Sequence, residues 1–516
     1  MDDVITSVIV DIFRCVLFPA KQQSRRPLRN KKMQPTQKCL SLVSSMLINL
    51  IASNRFALLI GVYVLAVQLA SAQQTPVRSE QQIATEIETY MKSAVEFERF
   101  SGSILVARDG KPIVSKGYGM ANYEHDVPNT PKTVFRLASV TKQFTAASIM
   151  MLHERGKLNV NDPFCKYLTD CPTQWQSITI RQLLTMTSGI PGANAMELGP
   201  LRGLPVPWDQ WLEATKKKSL EFVPGESFKY ANTGYTLLGF IIERVSGKTY
   251  GEFLQENIFA PLGMTQSGYE DPRRIIKYRA TGYRYLPGEP IANVPYAEMV
   301  GLYAAGGIYS TTEDLLLWDQ ALYTDKLLSQ KSLDEMFTPN KDMIPGKGYG
   351  YGLWTTRKHG RQEIAHGGNL AGFITYISRF PSERVTVIVL SNNGRGSSGK
   401  ISTVLSAIVF GAPYEVPYER KVIALGADVF GKYVGEYKVQ QPATTFVITH
   451  ENGKLMVKRD SEAKVEMFAE SETKFFLKNE DIQFTFGKDS NGAITALTVD
   501  QGDGTLYEVL KGQKIK

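Results

Sequence analysis

The sequence is short of the side chains that most often bind metals. Its 516 residues include five histidines and four cysteines, and neither type recurs at the spacing of a metal site. Low-complexity tracts and internal repeats are also missing, and 43% hydrophobic with 21% charged residues is the composition of a globular protein. We therefore expect a folded chain that needs neither a metal ion nor a cofactor. The histidines without ligand spacing are His125, His153, His359 and His450.

A basic block of the kind that binds nucleic acid is missing as well. Residues 1–72 contain nine of the 59 Lys and Arg residues but only three of the 51 Asp and Glu residues, so the formal charge of +8 is concentrated there. The rest of the chain has 50 basic and 48 acidic residues and is close to neutral. This distribution argues against a polyanionic partner such as nucleic acid.

An apolar run at residues 56–72 predicts an export signal. It ends in Ala70-Ser71-Ala72, the small-residue pattern of a cleavage site, so we expect a mature chain that starts at Gln73 and is periplasmic or secreted. The alternative is an uncleaved anchor, which would be the chain's only attachment to a membrane. The segment before the run is long for a signal peptide. We interpret residues 1–45 as a start-site artefact, with translation starting near Met46.

Two cysteines remain after this leader. Cys165 and Cys171 form an even pair in a chain predicted to be exported, which favours a local disulfide. Two free thiols are the alternative. Neither cysteine is flanked by a histidine, so a metal site or a thiol nucleophile is not indicated.

The chain is too long for one ordinary core and predicts two folded domains. In residues 73–412, strand patterns flank a block of helical patterns, which predicts an α/β domain of the α+β type. Its antiparallel sheet is completed by both ends of the segment, and a helical region is inserted between them. The predicted elements are a helix over 78–100, a hairpin over 103–107 and 112–115, helices over 139–156, 180–189, 208–220, 235–245, 251–259 and 312–322, strands near 351–354, 372–378 and 385–390, and a helix over 402–409.

The pattern of apolar and polar residues changes after a linker at residues 413–428. Short alternating runs separated by turn residues fill residues 429–516, which predicts a small antiparallel β-barrel or sandwich. The predicted strands lie at 433–439, 445–450, 454–459, 465–468, 474–477, 482–486, 493–499 and 505–510.

A serine and a lysine three residues apart, Ser139 and Lys142, stand where a long helical pattern begins. Residues at i and i+3 share a helix face, and a lysine in a dry pocket can take the proton of a serine nucleophile. The spacing alone is weak evidence, because it recurs three times. The first of these repeats lies in a predicted loop and the other two in the predicted β-rich tail; they are Ser397/Lys400, Ser461/Lys464 and Ser471/Lys474.

Two further motifs follow the serine and lysine along the chain. Tyr230-Ala-Asn232 offers a phenol that can share proton transfer and an amide that can orient a substrate carbonyl. His366-Gly367-Gly368-Asn369 precedes a predicted strand, where glycines let a substrate backbone approach and leave an N–H free for an oxyanion. Structural roles are the alternatives: a core aromatic for Tyr230, a helix cap for Asn232 and a strand-start residue for His366.

Taken in order, Ser139-x-x-Lys142, Tyr230-Ala-Asn232 and His366-x-Gly368 resemble the serine β-lactamase/penicillin-binding-protein superfamily. The most similar members are the class C β-lactamase-like hydrolases of the peptidase S12 type, which include D-aminopeptidases, DD-carboxypeptidases and esterases. The resemblance covers about residues 80–410. The tail resembles the lipocalin-like domain that follows the hydrolase in some members.

The resemblance implies a role for each motif residue and no metal or cofactor. Ser139 would be the acylated nucleophile, with Lys142 and Tyr230 as the general base and acid. The backbone N–H groups of Ser139 and Asn369 would form the oxyanion hole. The side chains that orient the substrate, a small molecule or peptide, would be Asn232 and His366, with Gly368 between His366 and Asn369.

One departure bears on the substrate. β-Lactamases of this type usually have lysine at the position of His366, and histidine is mostly neutral at pH 7. We therefore expect peptide, amide or ester hydrolysis, with D-amino-acid-containing substrates foremost. The alternatives are a true β-lactamase and a catalytically silent protein that binds cell-wall peptides. The residues leave the oligomeric state open.

Overall fold

The computed structural model describes most of the chain after the leader. The described residues are 78–192, 208–285, 290–295, 302–339, 347–394, 398–440, 443–478, 482–500 and 509–515. The predicted export signal therefore lies outside the described residues, as do Ser397 and the first part of the strand predicted at 505–510. Within the described residues, none of the helices combines the length and the apolar character needed to cross a membrane.

A seven-stranded antiparallel sheet runs through the first domain in the order β10-β11-β12-β13-β14-β1-β2. The strands β1 and β2 come from the start of the domain, and β10 to β14 come from its end. This confirms the prediction that both ends of the domain complete one sheet. Pairing of β1 with β14 joins them, for example Ile104 with Val389. The strands are β1 (Gly102–Arg108), β2 (Lys111–Tyr118), β10 (Lys347–Tyr349), β11 (Trp354–Lys358), β12 (Arg361–Leu370), β13 (Phe373–Phe380) and β14 (Val385–Ser391).

Helices cover both faces of this sheet. On one face, the helices α1 (Glu80–Phe97) and α11 (Ser398–Phe410) pack on side chains such as Ile104 and Val387. The first of these helices begins with a capping box between Ser79 and Gln82. The helical block covers the other face and shares a core with Ile377 and Leu390. All seven residues of β14 are buried, as expected of a central strand with a continuous apolar run.

The helical block that is inserted between the two groups of strands contributes part of the candidate site. A π-helical turn, Gln255–Phe259, joins α6 to α7, and a 3₁₀ turn, Ala138–Val140, leads into α2. The helices are α1 (Glu80–Phe97), α2 (Thr141–Glu154), α3 (Ile180–Leu184), α4 (Trp208–Lys216), α5 (Asn232–Ser246), α6 (Tyr250–Leu254), α7 (Ala260–Leu262), α8 (Tyr303–Gly306), α9 (Thr312–Ala321), α10 (Gln330–Phe337) and α11 (Ser398–Phe410). The short strands are β3 (Met120–Asn122), β4 (Val127–Pro128), β5 (Phe135–Arg136), β6 (Gly268–Tyr269), β7 (Tyr283–Arg284), β8 (Ala292–Asn293) and β9 (Ile308–Ser310).

The predicted local disulfide is present. Cys165 and Cys171 are bonded, with their Cα atoms 5.6 Å apart. The bridge closes a loop that follows a 3₁₀ turn, Phe164–Tyr167, on the surface of the helical block.

Several predicted boundaries are wrong. A strand predicted at 351–354 is the turn between β10 and the start of β11. The strand β12, which carries His366, was not predicted. Two helices start earlier than predicted: α5 begins at Asn232 rather than 235, and α11 begins at Ser398 rather than 402.

The tail forms a closed eight-stranded barrel, which confirms the predicted small antiparallel β-domain. Its interior is filled by side chains that include Tyr433, Tyr437, Phe475, Phe484 and Phe486. The lipocalin likeness of this barrel stays a prediction. A short helix, α12 (Ala427–Phe430), precedes the strands β15 (Gly435–Val439), β16 (Thr444–Glu451), β17 (Lys454–Arg459), β18 (Val465–Ala469), β19 (Lys474–Phe476), β20 (Gln483–Lys488), β21 (Ile494–Asp500) and β22 (Val509–Lys514).

Candidate active site

Ser139 lies in the 3₁₀ turn that leads into α2, so its hydroxyl is at the N-terminal end of a helix. Backbone N–H groups in a first turn have no acceptor within the helix, and their partial positive charge suits an anion. The preceding Ala138 is buried and has φ 48°. Left-handed backbone at a non-glycine residue costs about 1–3 kcal/mol and persists only where the surroundings impose it. The chain therefore holds Ser139 in a constrained turn.

Lys142 is completely buried one turn further along. Its Nζ lies 2.9 Å from Ser139 Oγ, 2.8 Å from Asn232 Oδ1 and 2.9 Å from the carbonyl oxygen of Ala305. Burial lowers the pKa of Lys142 well below its usual range, because the charged amine loses its hydration.

These contacts fit a neutral amine. A neutral lysine has two N–H groups and one lone pair. The amide oxygen of Asn232 and the carbonyl of Ala305 can only accept, so they take the two N–H groups. Because the lowered pKa favours the neutral amine, its lone pair is left for the third contact, the hydroxyl of Ser139. This is the arrangement that a general base needs before it takes the proton of a nucleophile.

The Tyr-x-Asn motif lies where the chain enters α5. Asn232 is the first residue of that helix, and the N-cap position belongs to Ala231, which makes no side-chain cap. The amide oxygen of Asn232 accepts from Lys142 instead, so the capping alternative is wrong. The ring of Tyr230 lies 4.9 Å from Lys142 Nζ.

Tyr230 is held as a protonated phenol. Burial raises its pKa, and a side-chain hydrogen bond with Ser139 opposes that rise only in part. A phenol that keeps its proton at neutral pH can donate it to a departing group. The Tyr-x-Asn motif thus brings a protonated phenol close to the amine of Lys142 and the hydroxyl of Ser139.

The support of Lys142 by α8 was missed by sequence reasoning. Ala304 and Ala305 each offer a carbonyl to α2: Thr145 Oγ1 donates to Ala304 at 2.7 Å, and Lys142 donates to Ala305. The backbone N–H of Ile308 donates to Thr141 Oγ1 at 3.1 Å. Side chains as short as alanine carry no signal in the sequence that their main-chain carbonyls are partners of Lys142 and Thr145.

A buried ion pair fixes the strand that leads to Ser139. Arg136 on β5 makes a two-pronged contact with Glu270, with Nε to Oε2 at 2.9 Å and Nη2 to Oε1 at 2.5 Å. Arg279 approaches the same carboxylate at 3.2 Å. Two-pronged arginine–carboxylate contacts define orientation as well as distance, so the backbone before the nucleophile is anchored.

His366 lies within β12 and is buried. Its ring centroid is 6.1 Å from that of Tyr230, which places it beside the serine and lysine. Nδ1 lies 2.6 Å from the carbonyl oxygen of Gly367, and Nε2 lies 3.3 Å from the hydroxyl of Tyr349. No sequence pattern singles out Tyr349.

Gly368 allows β12 to pack against the main chain before the nucleophile. A Cβ built on Gly368 would lie 2.2 Å from the carbonyl oxygen of Leu137 and 2.5 Å from Thr375 Oγ1. The hydroxyl of Thr375 donates to that same carbonyl at 2.7 Å. A side chain at this position would force the strand away from Ser139.

Asn369 lies at the exposed end of β12, in register with Ile374. Hydrogen-bonded and non-bonded pairs alternate along an antiparallel ladder. Counting from the two-residue turn closed by Leu370 and Phe373, Asn369 falls in a non-bonded pair, so its N–H is directed away from β13. Pairing with β11 has already ended at Ala365. The position fits a backbone donor to a substrate.

The other serine–lysine pairs have different surroundings. Lys400 lies in α11, not in the predicted loop, and forms an ion pair with Glu98 at 2.7 Å. Lys464 pairs with Glu451. Ser471 Oγ accepts from the backbone N–H of Lys474 at 3.0 Å.

Carboxylate, imidazole and thiol groups do not cluster in the part of the chain that the structure describes in a way that would hold a metal ion. The structure brings together Ser139, Lys142, Tyr230 and Asn232, with His366, Gly368 and Asn369 on the neighbouring strand.

Comparison with known proteins gives the family. The Beta-lactamase family model matches residues 84–405, and a domain of unknown function, DUF3471, matches residues 419–514. Penicillin-binding protein 4* of Bacillus subtilis (strain 168) is 31% identical over 436 residues, which cover 78% of this chain and 94% of that protein.

Solved structures show the same relationship. The octameric penicillin-binding protein homologue from Pyrococcus abyssi has a TM-score of 0.59 at 26% identity and covers 83% of this chain and 99% of its own. A D-stereospecific amidohydrolase from Streptomyces sp. has a TM-score of 0.55 at 26% identity, over 63% of this chain and 98% of its own. The chain therefore belongs to the Beta-lactamase family and is a serine hydrolase related to penicillin-binding proteins.

Proposed function

We propose that this chain is an exported hydrolase that forms an acyl-enzyme on Ser139 and cleaves amide, peptide or ester bonds, with D-amino-acid-containing substrates foremost. The observation that carries the proposal is the fully buried amine of Lys142, with Nζ 2.9 Å from Ser139 Oγ. A lysine is kept dry and next to a serine at a cost in stability, which a purely structural role does not explain.

Acylation follows from the contacts of the site. Ser139 Oγ attacks the substrate carbonyl carbon as its proton passes to Lys142 Nζ. The carbonyl oxygen becomes an oxyanion, which the backbone N–H groups of Ser139 and Asn369 stabilise. When the intermediate collapses, the bond to the leaving amine or alcohol breaks, and Tyr230 supplies the proton that this group needs. Lys142 returns its proton to the phenol oxygen.

Deacylation uses the same groups. A water molecule attacks the ester carbonyl of the acyl-enzyme and gives up a proton to the base. Ser139 Oγ then leaves and recovers its proton, so the product is a carboxylic acid and the enzyme is restored. Asn232 orients Lys142 throughout and offers its amide N–H groups to the substrate.

Two observations support export. The apolar run ending in Ala70-Ser71-Ala72 is a signal-type sequence. The disulfide between Cys165 and Cys171 is the kind of bond that persists in an oxidising compartment. We propose that the mature chain acts in the periplasm or outside the cell.

The preference for amide or ester substrates has its own support. The Streptomyces relative is described as a D-stereospecific amidohydrolase. The imidazole of His366 is buried and neutral, because burial lowers its pKa to about 3. A β-lactam carboxylate would find no permanent charge on this side chain.

Covalent labelling tests the proposal. Purified protein and the Ser139→Ala variant are treated with a fluorophosphonate and with a fluorescent penicillin. We expect the fluorophosphonate to label the native protein and not the variant. Ser461→Ala, at an exposed serine with the same spacing to a lysine, is the matched control and should label normally. Equal labelling of native protein and Ser139→Ala would contradict the nucleophile assignment, and no labelling at all would favour a silent peptide-binding protein.

A substrate panel then separates the branches of the family. It contains D-amino-acid amides, peptides ending in D-Ala-D-Ala, short-chain aryl esters and a chromogenic cephalosporin. We expect turnover of amides or esters at rates well above that of the cephalosporin. Faster turnover of the cephalosporin would make the chain a β-lactamase.

A further inference from the structure

Both ring nitrogens of His366 are committed to partners inside the protein. Nδ1 faces the carbonyl oxygen of Gly367 at 2.6 Å, and Nε2 faces the hydroxyl of Tyr349 at 3.3 Å. Tyr349 is itself buried, with 1% of its surface exposed. The hydroxyl of Tyr349 is therefore fixed in place and cannot swing into solvent.

The partners determine the tautomer of the imidazole. A carbonyl oxygen only accepts, so Nδ1 must carry the proton at this short distance. In a neutral ring Nε2 then holds a lone pair, and the hydroxyl of Tyr349, which also contacts Tyr235, is positioned to donate to it. With its lone pair occupied, His366 is not available to take a proton from a substrate or a water molecule.

The surroundings keep the ring uncharged. The groups around it are Lys142 on α2, Tyr230 before α5 and Tyr349 on β10, with Tyr235 of α5 behind Tyr349. Among the described residues, none of the groups that shift the pKa of His366 is a carboxylate. A proton added to this ring would face the amine of Lys142 and would remove the lone pair that Tyr349 satisfies.

The neighbouring rings extend this uncharged surface. Tyr349 packs on Trp354 at 4.5 Å and on Phe228 at 5.7 Å, and both of these side chains are half-buried. A carboxylate placed against this surface would lose its hydration without gaining a partner charge, which is costly. A neutral amide or ester group at the same place would lose much less hydration free energy than a carboxylate.

We propose that Tyr349 is a positioning residue that holds His366 as an uncharged wall of the substrate site, so that the enzyme selects substrates without a free carboxylate at the position next to His366. This inference rests on the proposed function and narrows its substrate class to amides, esters and internal peptide bonds.

Paired substrates test the selection. N-acetyl-D-Ala-D-Ala and its C-terminal amide differ only in the charge of the last group. We expect kcat/KM of the native enzyme to be at least about tenfold higher for the amide. His366→Lys, which places a permanent cation on the wall, should reverse this ratio.

Tyr349→Phe tests the positioning role. Loss of the hydroxyl frees Nε2, so the ring accepts a proton more easily, and the preference for the amide should decline as pH is lowered from 8 to 5. The native enzyme should keep a constant ratio over the same range. Tyr437→Phe is the matched control, because it removes a buried hydroxyl inside the barrel, where it donates to the carbonyl of Tyr433. A ratio in Tyr349→Phe that stays as constant as in the native enzyme would overturn the role of Tyr349.

Nitrogen NMR of ¹⁵N-histidine-labelled native protein measures the protonation of the two ring nitrogens directly. It does not depend on turnover or on the folding of a variant. His366→Asn assigns the signals by removing them. We expect one protonated Nδ1 and one unprotonated Nε2 at pH 7. A protonated Nε2 would overturn the inference. If neither peptide acylates Ser139 while the NMR result holds, the proposed function fails and the state of His366 stands.

Discussion

Gly368 packs directly on the carbonyl group of Leu137, two residues before the nucleophile. A Cβ at Gly368 would lie 2.2 Å from that oxygen, far inside van der Waals contact. The strand that carries His366 and Asn369 is thus placed against the turn that carries Ser139 by the lack of a side chain at one position. Two motifs that are more than 200 residues apart in sequence become one site at this contact.

Gly368→Ala should therefore disable the enzyme. The added methyl must displace β12 or the turn at Leu137, and a shift of about 1 Å in a reacting group costs on the order of 100-fold in rate. We expect kcat/KM to fall by about 100-fold or more and the free energy of unfolding to fall by about 1–3 kcal/mol. Gly431→Ala is the control, since nothing lies within 4 Å of a Cβ there and its φ is −57°. Near-native activity of Gly368→Ala would mean that the two segments are not rigidly packed.

Asn232→Asp should shift the pH dependence of catalysis. A carboxylate 2.8 Å from Lys142 Nζ stabilises the ammonium form, and a close opposite charge raises the pKa of a lysine by about 1–3 units. Because the reaction needs the neutral amine, we expect the rise of kcat/KM with pH to move to higher pH, with activity at pH 7 lowered about 10- to 1000-fold.

The pH–rate profile of the isosteric Asn257→Asp variant is the comparison. Asn257 also accepts from a cation, Arg155 at 2.8 Å, but on the surface, and this variant should match the native profile. A loss of activity in Asn232→Asp that is the same at every pH would argue that Asn232 contacts the substrate rather than sets the charge of Lys142.

Lys142→Met should change how stability depends on pH. In the native protein the pKa of Lys142 is lowered by burial, whereas the unfolded chain binds the proton up to about pH 10.4. Between these two values the unfolded state holds more protons, so the free energy of unfolding rises with pH by up to about 1.4 kcal/mol per unit from this group. The stability that this group adds is fully present above about pH 10.4 and is lost as the pH falls toward the pKa of Lys142 in the folded protein.

Denaturant unfolding from pH 6 to 9 measures this slope. We expect it to be smaller in Lys142→Met than in the native protein, and unchanged in Lys331→Met, at an exposed position on α10. Parallel curves for the native protein and Lys142→Met would mean that Lys142 is charged in the folded state.

Removal of the disulfide should weaken the fold modestly. The bond links residues six apart, and chain-entropy estimates for so short a loop give about 2 kcal/mol. We expect Cys165→Ser/Cys171→Ser to unfold at lower denaturant concentration by this amount. Reductant should lower the native midpoint to the same value and leave the double variant unaffected. A native midpoint that does not respond to reductant would indicate that the thiols are free in solution.

Prediction from sequence succeeded where the pattern is local. Ser139 and Lys142 lie one helical turn apart, and their approach follows from helix geometry. The eight alternating runs of the tail became eight strands, since alternation reports a half-buried strand directly. The sheet completed from both ends was also predictable, because strand patterns such as those containing Ile104 and Val389 flank the helical block.

Prediction failed where tertiary contacts decide the local structure. The strand β12 contains Gly367 and Gly368, which are typical of turns. It forms because it pairs with β13 and because Gly368 leaves room for the turn at Leu137. Ala305 is 163 residues from Lys142 in sequence, and Tyr349 lies on a different strand from His366, 17 residues before it. The backbone carbonyl of an alanine has no signature in the sequence, and nothing distinguishes Tyr349 from the other tyrosines among the 24 in the chain.

The closed barrel has a consequence for how the tail can meet other molecules. Because β15 pairs with β22, the described strands complete a ring in which each strand has two neighbours. A ring of this kind offers no unpaired ladder to which an extended peptide or a second copy could add a strand. We therefore expect any recognition by this domain to use side chains and loops, and single substitutions on its outer surface would test this.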